Sequence, residues 1–446
     1  MAVLDGSIAS VALPTMSREL HADAASSIWI VNAYQVMVAM LLVPFASLGD
    51  VVGYKRVYSG GIACFTLGSL ACALSPTLLL LVLARVLQGV GGAALMSIAP
   101  ALNRTIFPAR KLGVAVGISA LTVAASSAAG PTLGGAILAI APWPWLFAVN
   151  VPLGIFDTLF ARRALPERAG RGPHARFDLA SAFLSGPAVA SLVMGLDGFA
   201  RHVPPLAVAA LLVASVAFGF AFVRRQRALE TPMLPLELFA IPRFSLAALT
   251  SLGSFLAQGL AFVALPFLFQ GGLGYGALAS GLLFTPWPLA IACVAPYAGR
   301  LADRYPAPLL STAGLGTFAA GLALLAALPP RPSAADIVWR TVVCGIGFGF
   351  FQAPNNRELL GSAPRERSGG AAGVLATVRV TGQSLGAAAV AIVLGGSVAA
   401  AAPQAARSLG ASVHVALWVA AAAALAACAV SGARLTLRVP ARARGL

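Results

Sequence analysis

Charge is what this sequence has least of. Only 10% of its 446 residues are Asp, Glu, Lys or Arg, against about 25% in an average soluble chain. So few charges cannot cover a globular surface of this size, which excludes a soluble enzyme and a disordered chain. Acidic residues are scarcest, 14 against 30 basic ones, for a net charge of +16. That surplus means either a nucleic-acid partner or basic loops gathered on one side of a membrane, and the placement of the charges separates the two. Cysteine and histidine are also scarce. Cys64, Cys72, Cys293, Cys344 and Cys428 all lie in apolar runs without a C-x-x-C pair, so they read as small core residues. His21, His174 and His202 fall in polar connections and His414 opens an apolar run. Neither a metal nor a cofactor is expected. No carboxylates cluster as D-x-x-D at a helix end, which argues against a membrane transferase that would hold metal and phosphate.

What the chain has is apolar length. A membrane helix needs about 20 apolar residues. Thirteen such runs lie near 27–48, 57–75, 77–100, 111–138, 143–162, 178–198, 203–223, 243–270, 276–297, 307–328, 335–356, 370–395 and 411–432. A shorter apolar piece, Met1 to Leu13, makes a fourteenth. As a helix it rises only about 20 Å, short of a hydrocarbon core of about 30 Å. Either it is a half-helix, or the first helix is truncated and the chain starts at an internal Met; the second reading is taken. If the first helix starts inside, 23 basic residues fall on the inner side, five fall outside, and Arg85 and Arg379 lie within spans. This asymmetry supports both the span count and cytoplasmic termini, because a missed span would blur it. The basic charge is therefore topological, and no nucleic-acid partner is expected. The fold class is an all-α polytopic membrane protein.

Two loops resemble each other. Leu48-Gly49-Asp50-Val51-Val52-Gly53-Tyr54-Lys55-Arg56 follows the second span, and Gly299-Arg300-Leu301-Ala302-Asp303-Arg304-Tyr305 follows the tenth, with Asp50 and Asp303 253 residues apart. Two similar halves separated by extra helices are a plan of secondary transporters. The second loop resembles the G-x-L-a-D-R-x-G-R-K motif of the major facilitator superfamily, and the first is a weaker copy. Leu4-Asp5-Gly6-Ser7-Ile8-Ala9-Ser10-Val11-Ala12-Leu13-Pro14 is similar to the first-helix motif of that superfamily's fourteen-helix drug:proton antiporter branch. So are Arg85-Val86-Leu87-Gln88-Gly89-Val90-Gly91, the Gly130-Pro131 and Gly134-Gly135 pairs of the antiporter motif, and Trp143 to Pro152, where Pro144 replaces an Arg. The resemblance implies the major facilitator fold. A six-helix bundle would cover 1–162, two extra helices 163–242, a second bundle 243–432 and a basic cytoplasmic tail 433–446. The extra pair either packs peripherally or conserves topology.

Charges at membrane depth are costly and tend to be functional. Counting inward from Pro14 and Thr77 puts Asp5 and Arg85 at similar depth, about 12–13 Å in. In the resembling fold their helices are neighbours. Asp5 is thus expected to carry a coupling proton and Arg85 to tune it; a static ion pair between the helices is the competing reading. Asp157 is read as an interfacial partner of Arg162 and Arg163. Arg379 either contacts substrate or caps carbonyls of a kinked helix. Gly130, Pro131, Gly134 and Gly135 allow close helix approach and a bend. The gating loops are expected to use Asp50, Gly53, Lys55, Gly299, Asp303 and Arg304.

Polar residues within the spans are few. Asn32, Gln35, Gln88, Gln258, Gln352, Asn355, Arg379 and Gln383 are taken as the lining of a substrate cavity, with Phe255, Phe262, Trp287 and Phe350 around it. Such a cavity suits small amphipathic organic molecules. One deep Asp against two Arg favours neutral, zwitterionic or anionic ones. The expected function is a proton-coupled antiporter, a monomer in the plasma membrane with protons and lipid as its other partners. The alternatives are a uniporter or importer on the same scaffold, or an inactive truncated product.

Overall fold

Apolar runs separated by short turns fold into helices. The computed structural model describes residues 1–108, 112–165, 177–200, 203–229, 232–364, 368–395 and 402–436. Among the described residues there are fourteen long helices and no strand. The first six are α1 (Ala2–Glu19), α2 (Trp29–Val52), α3 (Tyr54–Ala73), α4 (Leu78–Ile106), α5 (Leu112–Ile140) and α6 (Asn150–Ala164). An inserted pair follows, α7 (Leu179–Ala200) and α8 (Pro205–Ala228). The last six are α9 (Pro242–Phe267), α10 (Ala277–Phe284 continuing as Pro286–Leu301), α11 (Ala307–Ala326), α12 (Ala334–Ser362), α13 (Ser368–Gly395) and α14 (Ala402–Ala433). Local chemistry sets the ends. Thr77 and Ser333 accept from the backbone N–H of Leu80 and Asp336 at the starts of α4 and α12. Proline in the first turn opens α8, α9 and α11. Gly53, at φ +100°, reverses the chain between α2 and α3 where an L side chain would be strained.

Eleven of these helices are long and apolar enough to cross a membrane. The exceptions are α1, which carries Asp5 and Arg18; α3, with Lys55 and Arg56 in its first turn; and α6, 15 residues with Arg162 and Arg163 in its last turn. The first helix corrects the sequence reading. It continues through Pro14 to Glu19, giving 18 residues and a rise of about 27 Å. Proline lacks one donor and kinks a helix, but here the helix does not end at it. Because α1 runs further, Asp5 meets Arg85 at a different distance from the helix end than the count from Pro14 gave.

The two halves repeat at the level of packing. In the first, Gly61 on α3 and Gly91 on α4 let backbones touch: a Cβ at Gly91 would sit 2.7 Å from the Gly61 carbonyl and 2.7 Å from Phe65 Cα. In the second, Gly314 on α11 and Gly347 on α12 do the same, and a Cβ at Gly347 would sit 2.8 Å from the Gly314 carbonyl and 2.7 Å from Phe318 Cα. The offset from Gly61 to Gly314 equals that from Asp50 to Asp303. Aligning Gly91 with Gly347 places Thr341 where the first half has Arg85. The buried cation Arg85 therefore has no counterpart at the matching position of the second half.

The inserted pair has a definite place. Helix α7 packs against α2 of one bundle and α13 of the other, where Val193 is buried with Val36 and Ala388. Helix α8 rests on α7 and is the least covered span, 11% of it buried against 78% of α9. At the pair's base Arg225 donates to both carboxylate oxygens of Asp178, the shorter contacts being 2.7 and 2.9 Å. Those bonds hold the Asp178 carboxyl down at about 2. The pair therefore stabilises the hairpin above the ordinary carboxylate value of about 4 and ceases to as pH falls through about 2. An Asp178→Asn variant should melt slightly below the wild type at neutral pH, with the gap closing in acid, as thermal denaturation across pH would record.

A second buried cation, unanticipated from the sequence, locks the last bundle. Arg434, 1% exposed, donates to Asn355 at 2.8 Å, Glu358 at 2.9 Å and Ser431 at 2.5 Å. Asn355 in turn donates to Ser251 on α9 at 2.7 Å. Removing one member of a buried pair strands the other, so Arg434→Ala should cost about 3–5 kcal/mol, read as a lower melting temperature. Most of the expected basic tail, 437–446, lies outside the described residues.

Candidate functional site

Five helices converge on Asp5. It is 2% exposed and Arg85 is fully buried. Arg85 Nη1 donates to Asp5 Oδ2 at 2.5 Å. Gln88 Nε2 and Asn150 Nδ2 each donate to Asp5 Oδ1 at 2.9 Å. Gln88 lies one turn beyond Arg85 on α4, so both reach the same carboxylate. Its amide also donates to Ser69 on α3 at 2.8 Å, and its carbonyl oxygen accepts from Arg85. Arg85 Nε donates to the Ile30 carbonyl at 2.8 Å, and the guanidinium lies 4.4 Å from the centre of the Tyr34 ring and 5.5 Å from that of Phe147. Its Nη2 has no hydrogen-bond partner and borders these ring faces. The result is a buried carboxylate held by one cation and two amides.

The antiporter motif on α5 lies beside this site. Gly130 and Gly134 face α1, where a Cβ at Gly130 would overlap Ser7 and one at Gly134 would meet Ile8 at 3.4 Å. The other face touches the second bundle. A Cβ at Gly135 would sit 2.7 Å from the Ala277 carbonyl and 2.9 Å from Leu278 Cα on α10, and one at Gly281 would overlap the Pro131 carbonyl. One helix thus contacts the Asp5 helix on one side and the opposite bundle on the other.

Other contacts between the bundles lie toward the same end. Gln270 at the end of α9 donates to the Val11 carbonyl at 2.8 Å and accepts from Thr15 at 3.1 Å. Ser384 on α13 donates to Asn32 on α2 at 2.7 Å, and Thr132 and Thr285 share a 2.6 Å bond. Alternation of the helices puts all of these in the half opposite the Asp50 and Asp303 loops. The four inter-bundle hydrogen bonds named above all lie in that half. The fold is closed at one end.

The expected cavity residues divide. Gln88 belongs to the Asp5 network, Asn32 to the bundle seam and Asn355 to the Arg434 lock, so these three are structural in this conformation. Phe255 and Trp287 are buried in an aromatic chain with Phe284, Phe318 and Phe348, which is core rather than lining. Gln35, Gln352, Arg379 and Gln383 remain half-buried, and Gln383 donates to Gln258 at 3.3 Å. In the loops, Tyr54 donates to Asp50 at 2.5 Å, and Asp303 pairs with Arg357 where both are largely exposed. Lys55 is half-buried, Arg304 is exposed, and Gly299 has open space where a Cβ would be. Among the described residues no ion pair joins Asp157 to Arg163; the Arg162 side chain is outside the described set. Sequence reasoning missed Asn150, Ser69 and Tyr34. Asn150 stood in a quoted motif, and its position after two buried aromatics was the available signal.

Comparison with known proteins agrees with this architecture. Residues 1–387 match the Major Facilitator Superfamily. The chain is 51% identical over 437 residues to the uncharacterized transporter YebQ of Escherichia coli, covering 98% of this chain and 93% of that one. It is 28% identical to the riboflavin transporter RibZ of Clostridioides difficile, covering 86% and 84%. It is 33% identical to the multidrug resistance protein Stp of Mycobacterium tuberculosis, covering 86% and 72%. Among solved structures, a bacterial homologue of the lysosomal transporter Spinster in an inward-facing, unoccupied conformation superposes with a TM-score of 0.70 at 15% identity, covering 96% and 93%. That likeness concerns the fold. The chain belongs to the major facilitator superfamily, as a multi-pass membrane transporter of small molecules rather than an enzyme.

Proposed function

We propose that this transporter is a proton-coupled antiporter of the fourteen-helix type, exporting small amphipathic organic molecules across a bacterial plasma membrane by alternating access. Residues 1–162 and 243–432 are the two moving bundles, and the loop face with Asp50 and Asp303 is cytoplasmic. The bundles then stand open to the cytoplasm and sealed outside. The observation that carries this reading is Asp5. It is the one fully buried acid in either bundle among the described residues, and proton coupling needs a carboxylate that can be reached, neutralised and released. Its partners suit that cycle, since a shift of α4 against α1 within the first bundle removes Arg85 and Gln88 from it together. The similarity to a multidrug resistance protein supports export, and the similarity to a riboflavin transporter makes riboflavin a compound to include in the trial.

The test is transport by the purified protein in liposomes with an acidic lumen, using fluorescent amphiphiles and riboflavin. Accumulation should build against the substrate gradient and stop when nigericin collapses the pH difference. Equal equilibration with and without the gradient would instead identify a uniporter.

A further inference from the structure

We propose that Arg379 is the anchor for an acidic group, such as a carboxylate or phosphate, on the transported molecule. The inference rests on the reading that substrate binds between the bundles, and does not depend on proton coupling or on direction.

The argument begins with the charges. Two arginines lie deep in the helices, Arg85 and Arg379. The charge of Arg85 is matched by Asp5. That of Arg379 is not. It lies 11 residues into the 28-residue helix α13, near the middle, yet among the described residues it makes no hydrogen bond and no ion pair. It is half-buried, so its guanidinium retains some access to space. A cation at that depth without a countercharge is expensive. It holds no carbonyl of a kinked helix, which removes the structural role that the sequence left open.

Its surroundings point inward. Val380, next in sequence, packs with Tyr34, Val38 and Leu42 of α2 in the opposite bundle. Arg379 itself lies within electrostatic reach of the Tyr34 hydroxyl. It therefore faces the contact between bundles rather than lipid. Two polar groups nearby in sequence and on the facing helix are also unspent: Thr377 Oγ1 and Gln35 Oε1 are buried without hydrogen-bond partners. One turn further along α13, Gln383 shares the face of Arg379, with its amide nitrogen donating to Gln258 at 3.3 Å. The unpaired guanidinium is a fork of donors with no carboxylate bonded to it. That fork fits an anionic head, with the apolar body of the ligand against the bundle faces. An ammonium ligand would meet repulsion there.

The experiment uses the full-length protein in detergent and measures ligand-dependent thermal stabilisation. Three acids are each titrated beside a neutral counterpart: 1-naphthylacetate with its amide, anthracene-9-carboxylate with 9-anthracenemethanol, and riboflavin 5′-phosphate with riboflavin. The acids should bind wild type more tightly than their counterparts. Arg379→Gln should weaken the acids about 10- to 100-fold, the value of a charge-assisted hydrogen bond, and leave the neutral compounds unchanged. Arg379→Lys should restore part of the loss. Unliganded Arg379→Gln should melt no lower than the wild type, because no hydrogen bond is removed and an uncompensated charge is relieved. The proposal falls if no acid stabilises the wild type, if acids bind Arg379→Gln equally well, or if acid and neutral partner weaken together. No gradient is used, so failure of the antiport reading leaves the result standing. Conversely, proton-driven export of only neutral or cationic compounds would remove this proposal and keep the antiporter.

Discussion

Asp5→Asn should reduce proton-driven accumulation in liposomes to the level of protein-free vesicles. An amide of the same shape fills the same space and can still accept from Arg85, but it cannot take up and release a proton. The substitution also strands a cation. Arg85 is fully buried, and its guanidinium has only aromatic faces and neutral carbonyls besides Asp5. Removing one partner of such a pair costs about 3–5 kcal/mol, so the variant should melt well below the wild type. Loss of transport alone would therefore not separate coupling from stability. The double variant Asp5→Asn with Arg85→Gln does. Replacing both charges removes the stranded cation and should recover most of the lost melting temperature, because neutral replacement of a buried ion pair is commonly tolerated. It should not recover transport driven by the pH gradient. A double variant that melts and pumps like the wild type would make the pair a static clamp between α1 and α4.

The parts of this molecule that were legible in sequence are those governed by one-dimensional physics. Span positions follow from apolar length, and the repeat from matched loops at Asp50 and Asp303. The convergence of Asp5 and Arg85 was legible for a different reason: two opposite charges in a nearly uncharged lipid-depth environment have few places to go. Polar uncharged residues were not legible in the same way. Gln88, Asn32 and Asn355 look alike in an apolar window, yet one braces a carboxylate, one ties the bundles and one holds Arg434. Each role depends on which helix stands opposite, and helix neighbours are a tertiary fact. Arg434 was hidden by its position. Near a C-terminus rich in arginine it reads as part of a solvated tail, whereas the last turn after α14 folds it under Glu358. The end of the first helix was placed too early because proline is a reliable terminator in water-exposed helices. Within a packed bundle a helix can pass through it, and Pro14 is itself buried.

Gly135→Val and Gly281→Leu should each hold the bundles apart at the sealed end and slow transport, whereas Gly134→Ala should transport nearly as the wild type does. The contrast is set by Gly135 and Gly281 at the α5–α10 contact and Gly134 on the α1 face of α5. At Gly134 an added Cβ meets Ile8 at 3.4 Å, an ordinary van der Waals contact. At Gly135 it would lie 2.7 Å from the Ala277 carbonyl and 2.9 Å from Leu278 Cα, both backbone atoms of the other bundle. At Gly281 it would overlap the Pro131 carbonyl, again backbone. Side chains can rotate away from such a contact but backbones cannot, so the bundles must separate. Overpacking of this kind costs about 1–3 kcal/mol, which is roughly a 5- to 150-fold shift in a two-state equilibrium. The cost falls only on the conformation in which α5 and α10 touch. The gain in helix propensity on replacing glycine is common to both conformations and cancels. The population should therefore move toward the state open at this end. Cysteines introduced at Thr15 and at Tyr275, near the Gln270 contact, would read the shift through their labelling rates with a membrane-impermeant maleimide. Faster labelling in Gly135→Val and Gly281→Leu, with Gly134→Ala labelling as the wild type does, is the expected pattern. Equal labelling in all four proteins would mean that the α5–α10 contact does not seal this end, and that the glycines serve packing within one rigid body.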